Sequence, residues 1–241
     1  MQNENENNCK DAKVVIIGET GVGKTSIIKQ YMTHIFDENC VSSISSQFCS
    51  KIVEIPGEDK SIRFDVWDTA GQEKYRSLAK IFYKDAHIII FVYDITNRET
   101  LEGLQQYWYP EIQANCTTKA VMAVVANKFD LYNCEGAVED KEGIEWADKI
   151  GAIFQITSAK SSLGINKLFE NVGKKLLNPK YNCKKEDHND KLSYEIKKNE
   201  KQNKNKKGDE DEECSNEIPD IKNVKLSKDK HKTKKKTKKC C

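Results

Sequence analysis

The chain has no run of apolar residues able to cross a bilayer. Stretches such as Ile88-Ile89-Ile90-Phe91-Val92-Tyr93 fall far short of the roughly 20 residues that a spanning helix needs. No apolar segment follows a basic start, so no secretory signal is read and synthesis in the cytosol is expected. Cysteine is not scarce, at nine residues, but its ordering is. Cys9, Cys40, Cys49, Cys116, Cys134, Cys183 and Cys214 show no C-x-x-C spacing, so they read as free thiols in a reducing compartment rather than as a disulfide frame. Cys240 and Cys241 are adjacent and stand apart from the others.

The 241 residues suffice for one ordinary domain plus extra material. That material lies at the end. From Lys180 to Cys241 there are 20 lysines against 13 acids, a charge of +7, while the rest carries 20 basic against 25 acidic residues, or −5. The final segment has few aromatics and cannot bury enough surface to fold alone. The expected organisation is a polar, mobile arm over 1–11, a folded domain over 12–178, and a disordered tail over 179–241.

Within the domain, apolar and amphipathic stretches alternate. They predict strands at 13–17, 48–55, 62–67, 87–93, 121–126 and 153–157. Helices are predicted at 24–33, near 77–83, and at 98–115, 138–149 and 165–177. Pro56-Gly57 marks a hairpin between the second and third strands. After that, strand and helix alternate, as in right-handed βαβ units around a mainly parallel sheet. The predicted class is α/β, and ligands of such sheets bind beyond the carboxyl ends of the strands.

Chemistry concentrates at those ends. Gly18-Glu19-Thr20-Gly21-Val22-Gly23-Lys24-Thr25 matches G-x-x-x-x-G-K-[ST] between a strand and a helix, the context that makes it a phosphate cradle. Its backbone N–H groups can nest the α- and β-phosphates, and the helix N-terminus faces the same anion. Thr20, Gly21, Val22, Gly23, Lys24, Thr25 and Ser26 are the candidate contacts. Lys24 would reach the β/γ oxygens and the Thr25 hydroxyl would ligate Mg²⁺. Asp68-Thr69-Ala70-Gly71-Gln72-Glu73 follows the third strand. Asp68 is placed to hold Mg²⁺, Gly71 to approach a γ-phosphate, and Gln72 to orient an attacking water.

Asn127-Lys128-Phe129-Asp130 follows the fifth strand. The Asp130 carboxylate can accept from the N1–H and 2-amino group of guanine, a pair that adenine lacks. Buried polar groups that must be paired discriminate by factors up to about 10⁴–10⁵. Thr157-Ser158-Ala159-Lys160 follows the last strand and would complete the base pocket.

Together these strings resemble the small Ras-like GTPases over about residues 12–178, and within them the Rabs. Trp67 to Leu78, Phe91-Val92-Tyr93-Asp94-Ile95-Thr96 and the terminal Cys240-Cys241 carry the closer likeness. The resemblance implies a P-loop fold with a six-stranded, mainly parallel sheet, helices on both faces and one antiparallel edge pairing. It implies GTP or GDP with Mg²⁺, slow intrinsic hydrolysis, and a switch that regulates vesicle trafficking. Phe36 should pack against the guanine, Lys128 along it, and the Ala159 N–H on its carbonyl. Ser43 should close on Mg²⁺ and the γ-phosphate. Ile44, Phe48, Trp67 and Phe82 should form the surface that effectors read, against a plainer alternative of core packing for the three aromatics. Effectors, an exchange factor, an escort protein and a GDP-dissociation inhibitor are implied partners. No cis arginine stands in a finger position, so an activating protein should supply one.

The departures cluster in one segment. Ser42-Ser43-Ile44-Ser45-Ser46-Gln47-Phe48 stands where Rabs usually read S/P-T-I-G-x-D/E-F, so Ser43 keeps a hydroxyl and loses a methyl. Phe82-Tyr83-Lys84-Asp85-Ala86 replaces Y-Y-R-G-A. A rival reading is therefore a non-cycling membrane scaffold that holds nucleotide behind an impaired first switch loop. Another is a P-loop ATP enzyme, which Asn127, Lys128 and Asp130 oppose.

The run from Lys228 to Lys239 could be a nuclear-import or nucleic-acid patch, a solubilising tail, or a membrane anchor. It carries no aromatics for base stacking, which speaks against nucleic acid. Each lysine near an anionic leaflet contributes about 1 kcal/mol, and stable anchoring takes a second signal. Cys240-Cys241 is not a C-a-a-X box; it resembles the double-prenylation end of Rabs. The expected location is the cytosolic face of an intracellular membrane, with cycling through the cytosol.

Overall fold

A computed structural model describes residues 9–37, 47–68 and 82–182, with the backbone alone at Gln47. Its core is a six-stranded sheet built from β1 (Cys9–Ile17), β2 (Gln47–Glu54), β3 (Ser61–Asp68), β4 (Ile88–Asp94), β5 (Val121–Asn127) and β6 (Ile153–Ile156). The spatial order is β2-β3-β1-β4-β5-β6. Only β2–β3 is antiparallel among these pairings. That follows from the sequence, because residues 55–60 are too few for a crossover and close a hairpin instead. The connections after β1, β4 and β5 carry helices. Parallel pairing needs such crossovers, and they cover both faces of the sheet.

All seven residues of β4 are buried, as expected of a central strand with no solvent-facing side. Val14, Ile16, Phe64, Val66, Ile88, Ile90, Val92 and Val125 point to one face. There they meet α1 (Lys24–Thr33) and α5 (Ile165–Leu177) through Ile27, Tyr31, Phe169 and Val172. Tyr31 stacks on Phe169 with ring centroids 3.6 Å apart. On the other face Phe91 lies edge-on to Trp146 at 5.8 Å and to Tyr109 at 6.3 Å. Each such Val, Ile or Phe contributes about 1.5–3 kcal/mol by leaving water, so the sheet's interior holds the site's scaffold firmly.

Two expectations needed correction. β1 begins at Cys9, four residues before 13, because Cys9–Lys13 pair in register with Ser61–Asp65. The helix expected over 98–115 is not continuous. It consists of α2 (Arg98–Gly103), a wide π turn at Leu104–Trp108 and α3 (Tyr109–Asn115). Pro110 has no N–H to give and its ring crowds the carbonyl four residues back. The backbone opens instead, with the Tyr109 N–H bonding Leu104 O five residues away. A short helical segment Phe129–Leu131 and α4 (Asp140–Ile150) complete the described fold. Of the helix expected near 77–83, only Phe82 and Tyr83 are described, and both are helical.

Among the described residues no helix is long and apolar enough to cross a membrane. Ser43, Ile44, Gly71, Gln72, Cys240 and Cys241 lie outside the described residues.

Candidate functional site

The loop between β1 and α1 curls at the carboxyl edge of the sheet. Gly23 takes φ +98°, and a Cβ there would sit 2.3 Å from Asn127 Nδ2. Glycine is required on both counts. Val22 is fully buried, while Thr20 and Gly21 are exposed and Ser26 is half-buried. This places the two exposed residues on the open rim and ties the loop down through Val22.

Lys24 folds back over the loop. Its Nζ donates to Gly18 O and Glu19 O, each at 2.9 Å. The side chain is 6% exposed, and burial lowers the ammonium pKa to about 8, with Asp68 and then Glu19 opposing that shift. Nζ is thus a buried cation held by two carbonyl oxygens, with the Asp68 and Glu19 carboxylates near enough to favour its charge. Arriving phosphates would add further negative charge beside it.

Thr25 and Asp68 meet beside it. The Thr25 hydroxyl donates to Asp68 Oδ2 at 2.5 Å. Asp68 is 1% exposed, and its second oxygen, Oδ1, has no hydrogen-bond partner among the described residues. Burial pushes the carboxyl up, while the Thr25 bond and the Lys24 charge pull it back. An orphaned buried carboxylate oxygen next to a hydroxyl is an oxygen donor set, and it fits a small hard dication such as Mg²⁺. Thr25 and Asp68 are the described residues that would hold it.

The base side is built from β5 and β6. Asn127, 1% exposed, donates from Nδ2 to Val22 O at 2.8 Å and accepts from Thr157 Oγ1 at 3.0 Å. Lys128 sits in the left-handed region at φ +65°, and its Nζ lies 2.6 Å from Asp94 Oδ2. The Ser158 hydroxyl donates to Asp130 Oδ1 at 2.5 Å; Ser158 is buried, whereas Asp130, expected as a buried group, is exposed at the rim of the site. Ala159 is 4% exposed and Lys160 is exposed. Phe36 is half-buried and packs on the edge of the core cluster. The fold thus brings Lys24, Thr25, Asp68, Asn127, Asp130 and Ser158 to one edge.

Two contributors escaped the sequence reading. Thr157 stood in its string only as a neighbour, yet it carries a bond to Asn127. Asp94 stood only in a likeness, yet it holds Lys128 and accepts from Thr96 N and Oγ1 at 2.9 and 2.7 Å. An acid at the end of a parallel strand was the available signal.

Phe48, Trp67 and Phe82 do come together. Phe48 and Trp67 centroids are 5.0 Å apart, and Trp67 and Phe82 5.8 Å. Phe48 is 54% exposed, so core packing does not account for it.

A glycine-lysine loop between strand and helix, with Thr25 bonded to the buried Asp68 beside it at this switch point of the sheet, defines a P-loop nucleotide-binding protein. The sequence model of the Ras family matches residues 13–178. "Ras-related protein Rab-22A" of Homo sapiens is 37% identical over 167 residues, covering 69% of this chain and 84% of that protein. The Mus musculus protein of the same name matches over the same shares. The chain belongs to the Ras family, as a small GTPase of the Rab type.

Proposed function

We propose that this GTPase is a membrane-tethered switch that regulates vesicle traffic, binding GTP and GDP with Mg²⁺ and hydrolysing GTP slowly by itself. The observation that carries the reading is the Thr25–Asp68 pair, with Asp68 Oδ1 buried and unpartnered among the described residues and Lys24 close enough to act on its charge. Thr25, Asp68 and Ser43 would hold the metal ion, which neutralises phosphate charge when bound. Lys24 gives its ammonium to the β/γ oxygens, and the loop N–H groups receive the rest.

Gln72 orients a water for in-line attack, so the protein's part is positioning and electrostatics rather than covalent chemistry. Contacts of Ser43 and Gly71 to the γ-phosphate order segments 41–48 and 71–83, and hydrolysis releases them. Asp130, supported by Ser158, selects guanine, while Asn127 ties the base side to the phosphate loop. Phe36, Lys128, Ala159 and Lys160 complete the base pocket. Phe48, Trp67 and Phe82, with Ile44, present the effector surface. Prenyl groups on Cys240 and Cys241, with the lysine run, supply the two membrane signals. An exchange factor, an activating protein, an escort protein and a GDP-dissociation inhibitor drive the cycle on the cytosolic face of an endomembrane.

Single-turnover hydrolysis of GTP bound to the full chain, with and without Mg²⁺, tests this directly. Slow, Mg²⁺-dependent phosphate release that Gln72→Leu slows further is the expected result. Release at the same rate from the Gln72→Leu protein removes the residue from its role. Tight GTP binding with no release in either protein returns the non-cycling scaffold.

A further inference from the structure

The phosphate loop contains an acid, Glu19, in a place whose business is to hold a polyanion. Its backbone carbonyl already accepts from Lys24 Nζ at 2.9 Å. Its side chain is taken from the other direction: Trp108 Nε1–H donates to Glu19 Oε1 at 3.1 Å. Trp108 is 3% exposed, so the donor is buried and its ring is fixed by packing. Gly103 lies against the same carboxylate, since a Cβ there would come within 3.1 Å of Glu19 Oε1.

The aim of that indole traces to the chain's covalent structure. Pro110 cannot donate to residue 106 and crowds its carbonyl. The helix therefore opens over Leu104–Trp108, with the Tyr109 N–H reaching Leu104 O. A π turn holds one residue more than an α turn, and such turns often mark functional sites. Trp108 is the last residue of this one, and the insertion rotates it relative to the register that an unbroken helix would give. Proline, wide turn, buried indole and small Gly103 converge on one carboxylate.

We infer that Trp108 is a positioning residue for nucleotide retention: through Glu19 it holds the outer wall of the phosphate loop and keeps that carboxylate turned away from the phosphates. The inference rests on the reading of the loop as the nucleotide's seat. Without the indole N–H, the Glu19 carboxylate loses one of the contacts that hold it, and the loop wall it fixes loosens around the bound anion. Charge-assisted hydrogen bonds of this kind are among the stronger ones, and part of that strength should appear in the release rate.

The test is the release of a fluorescent GDP from the full chain, chased with excess GDP. Trp108→Phe keeps the ring and removes the N–H; it should speed release about three- to tenfold. Pro110→Ala, which lets the helix close, should act in the same direction. In a Glu19→Ala background, itself faster than wild type, Trp108→Phe should add less than about 1.5-fold, since the acceptor is gone. The preference for GDP over the hypoxanthine analogue should not move, because the base side is untouched.

Equal acceleration by Trp108→Phe with and without Glu19, or no acceleration at all, overturns the proposal. If Trp108→Phe gives no cooperative melt, Pro110→Ala and Glu19→Ala decide, and unaltered release in either one overturns it. A changed base preference also overturns it. Should the wild-type chain hold no GDP, the nucleotide reading itself falls, and that is seen before any variant is compared.

Discussion

Asn127 Nδ2 donates to Val22 O across 2.8 Å, and this one bond joins the base side of the site to its phosphate side. The same side chain accepts from Thr157 Oγ1 on the last strand's loop. All of this is buried: Asn127 is 1% exposed and Thr157 is fully enclosed. Gly23 lies so close that any side chain there would collide with the Asn127 amide. The three loops of the site therefore share one fastening.

Asn127→Ala should accordingly cost both stability and retention. It leaves the Val22 carbonyl and the Thr157 hydroxyl buried without partners, and each orphan costs about 1–3 kcal/mol. A loss of about 2–4 kcal/mol is expected by urea denaturation without nucleotide, with faster GDP release. A variant within about 0.5 kcal/mol of wild type, the range of ordinary surface substitutions, would show that the fastening carries no load.

Lys24 makes the site sensitive to alkaline pH. Its pKa is lowered to about 8 by burial, against an ordinary 10.5. A lowered lysine disfavours the folded state fully below pH 8, and the penalty fades as pH rises from 8 to 10.5. For the nucleotide-free protein the span is about 3 kcal/mol, and Lys24→Met should flatten it. Phosphates restore the charge, so binding must take up a proton wherever the free protein has lost one. GDP affinity should fall on the order of tenfold between pH 7.5 and 9. Calorimetry at pH 9 in buffers of different ionisation heat should show net proton uptake. Flat affinity with no uptake contradicts a depressed Lys24.

How far the sequence alone reached depends on whether local chemistry or tertiary geometry decided each element. The phosphate loop, the Asp68 site and Asn127–Asp130 were legible because glycine, proline and strand-end polar residues have few alternative uses. β4 was legible because its run Ile88–Tyr93 is apolar on both parities. The start of β1 was hidden, since Cys9-Lys10-Asp11 carries no strand pattern and is extended by pairing with Ser61–Arg63. The break in helix 98–115 was present as Pro110, but the apolar periodicity on either side masked it. Asp94 and Thr157 went unassigned because their roles are contacts to Lys128 and Asn127 across strands; the one local sign was Asp94's place as an acid at a strand end.

The tail prediction follows from cooperation between weak anchors. Cys240→Ser with Cys241→Ser removes both acceptor thiols and leaves only lysines, each worth about 1 kcal/mol at an anionic surface and screened by salt. The doubly substituted chain, expressed in cells, should move from the membrane pellet to the supernatant and gain no lipid mass. Persistence in the pellet after a high-salt wash would rule out lipid anchoring at this pair.

Ser158 and Asp130 set the last prediction. The Ser158 hydroxyl donates to Asp130 Oδ1 and accepts from the Ser161 N–H at 3.1 Å, so the carboxylate is held from one side by a hydroxyl that is itself held. A guanine would complete the arrangement by giving two N–H groups to the carboxylate. Asp130→Asn replaces one acceptor oxygen with an NH₂ donor, which opposes those N–H groups but suits the 2-carbonyl of xanthine. Preference should shift from GTP toward xanthosine triphosphate by several orders of magnitude, in line with the rejection seen when a site's polar groups go unpaired. The Ser158→Ala protein, which frees the carboxylate without changing its charge, should lose guanine affinity with no gain for xanthine. Competition binding with both triphosphates separates the two variants, and an unaltered ratio in the Asp130→Asn protein would remove Asp130 from the base pocket.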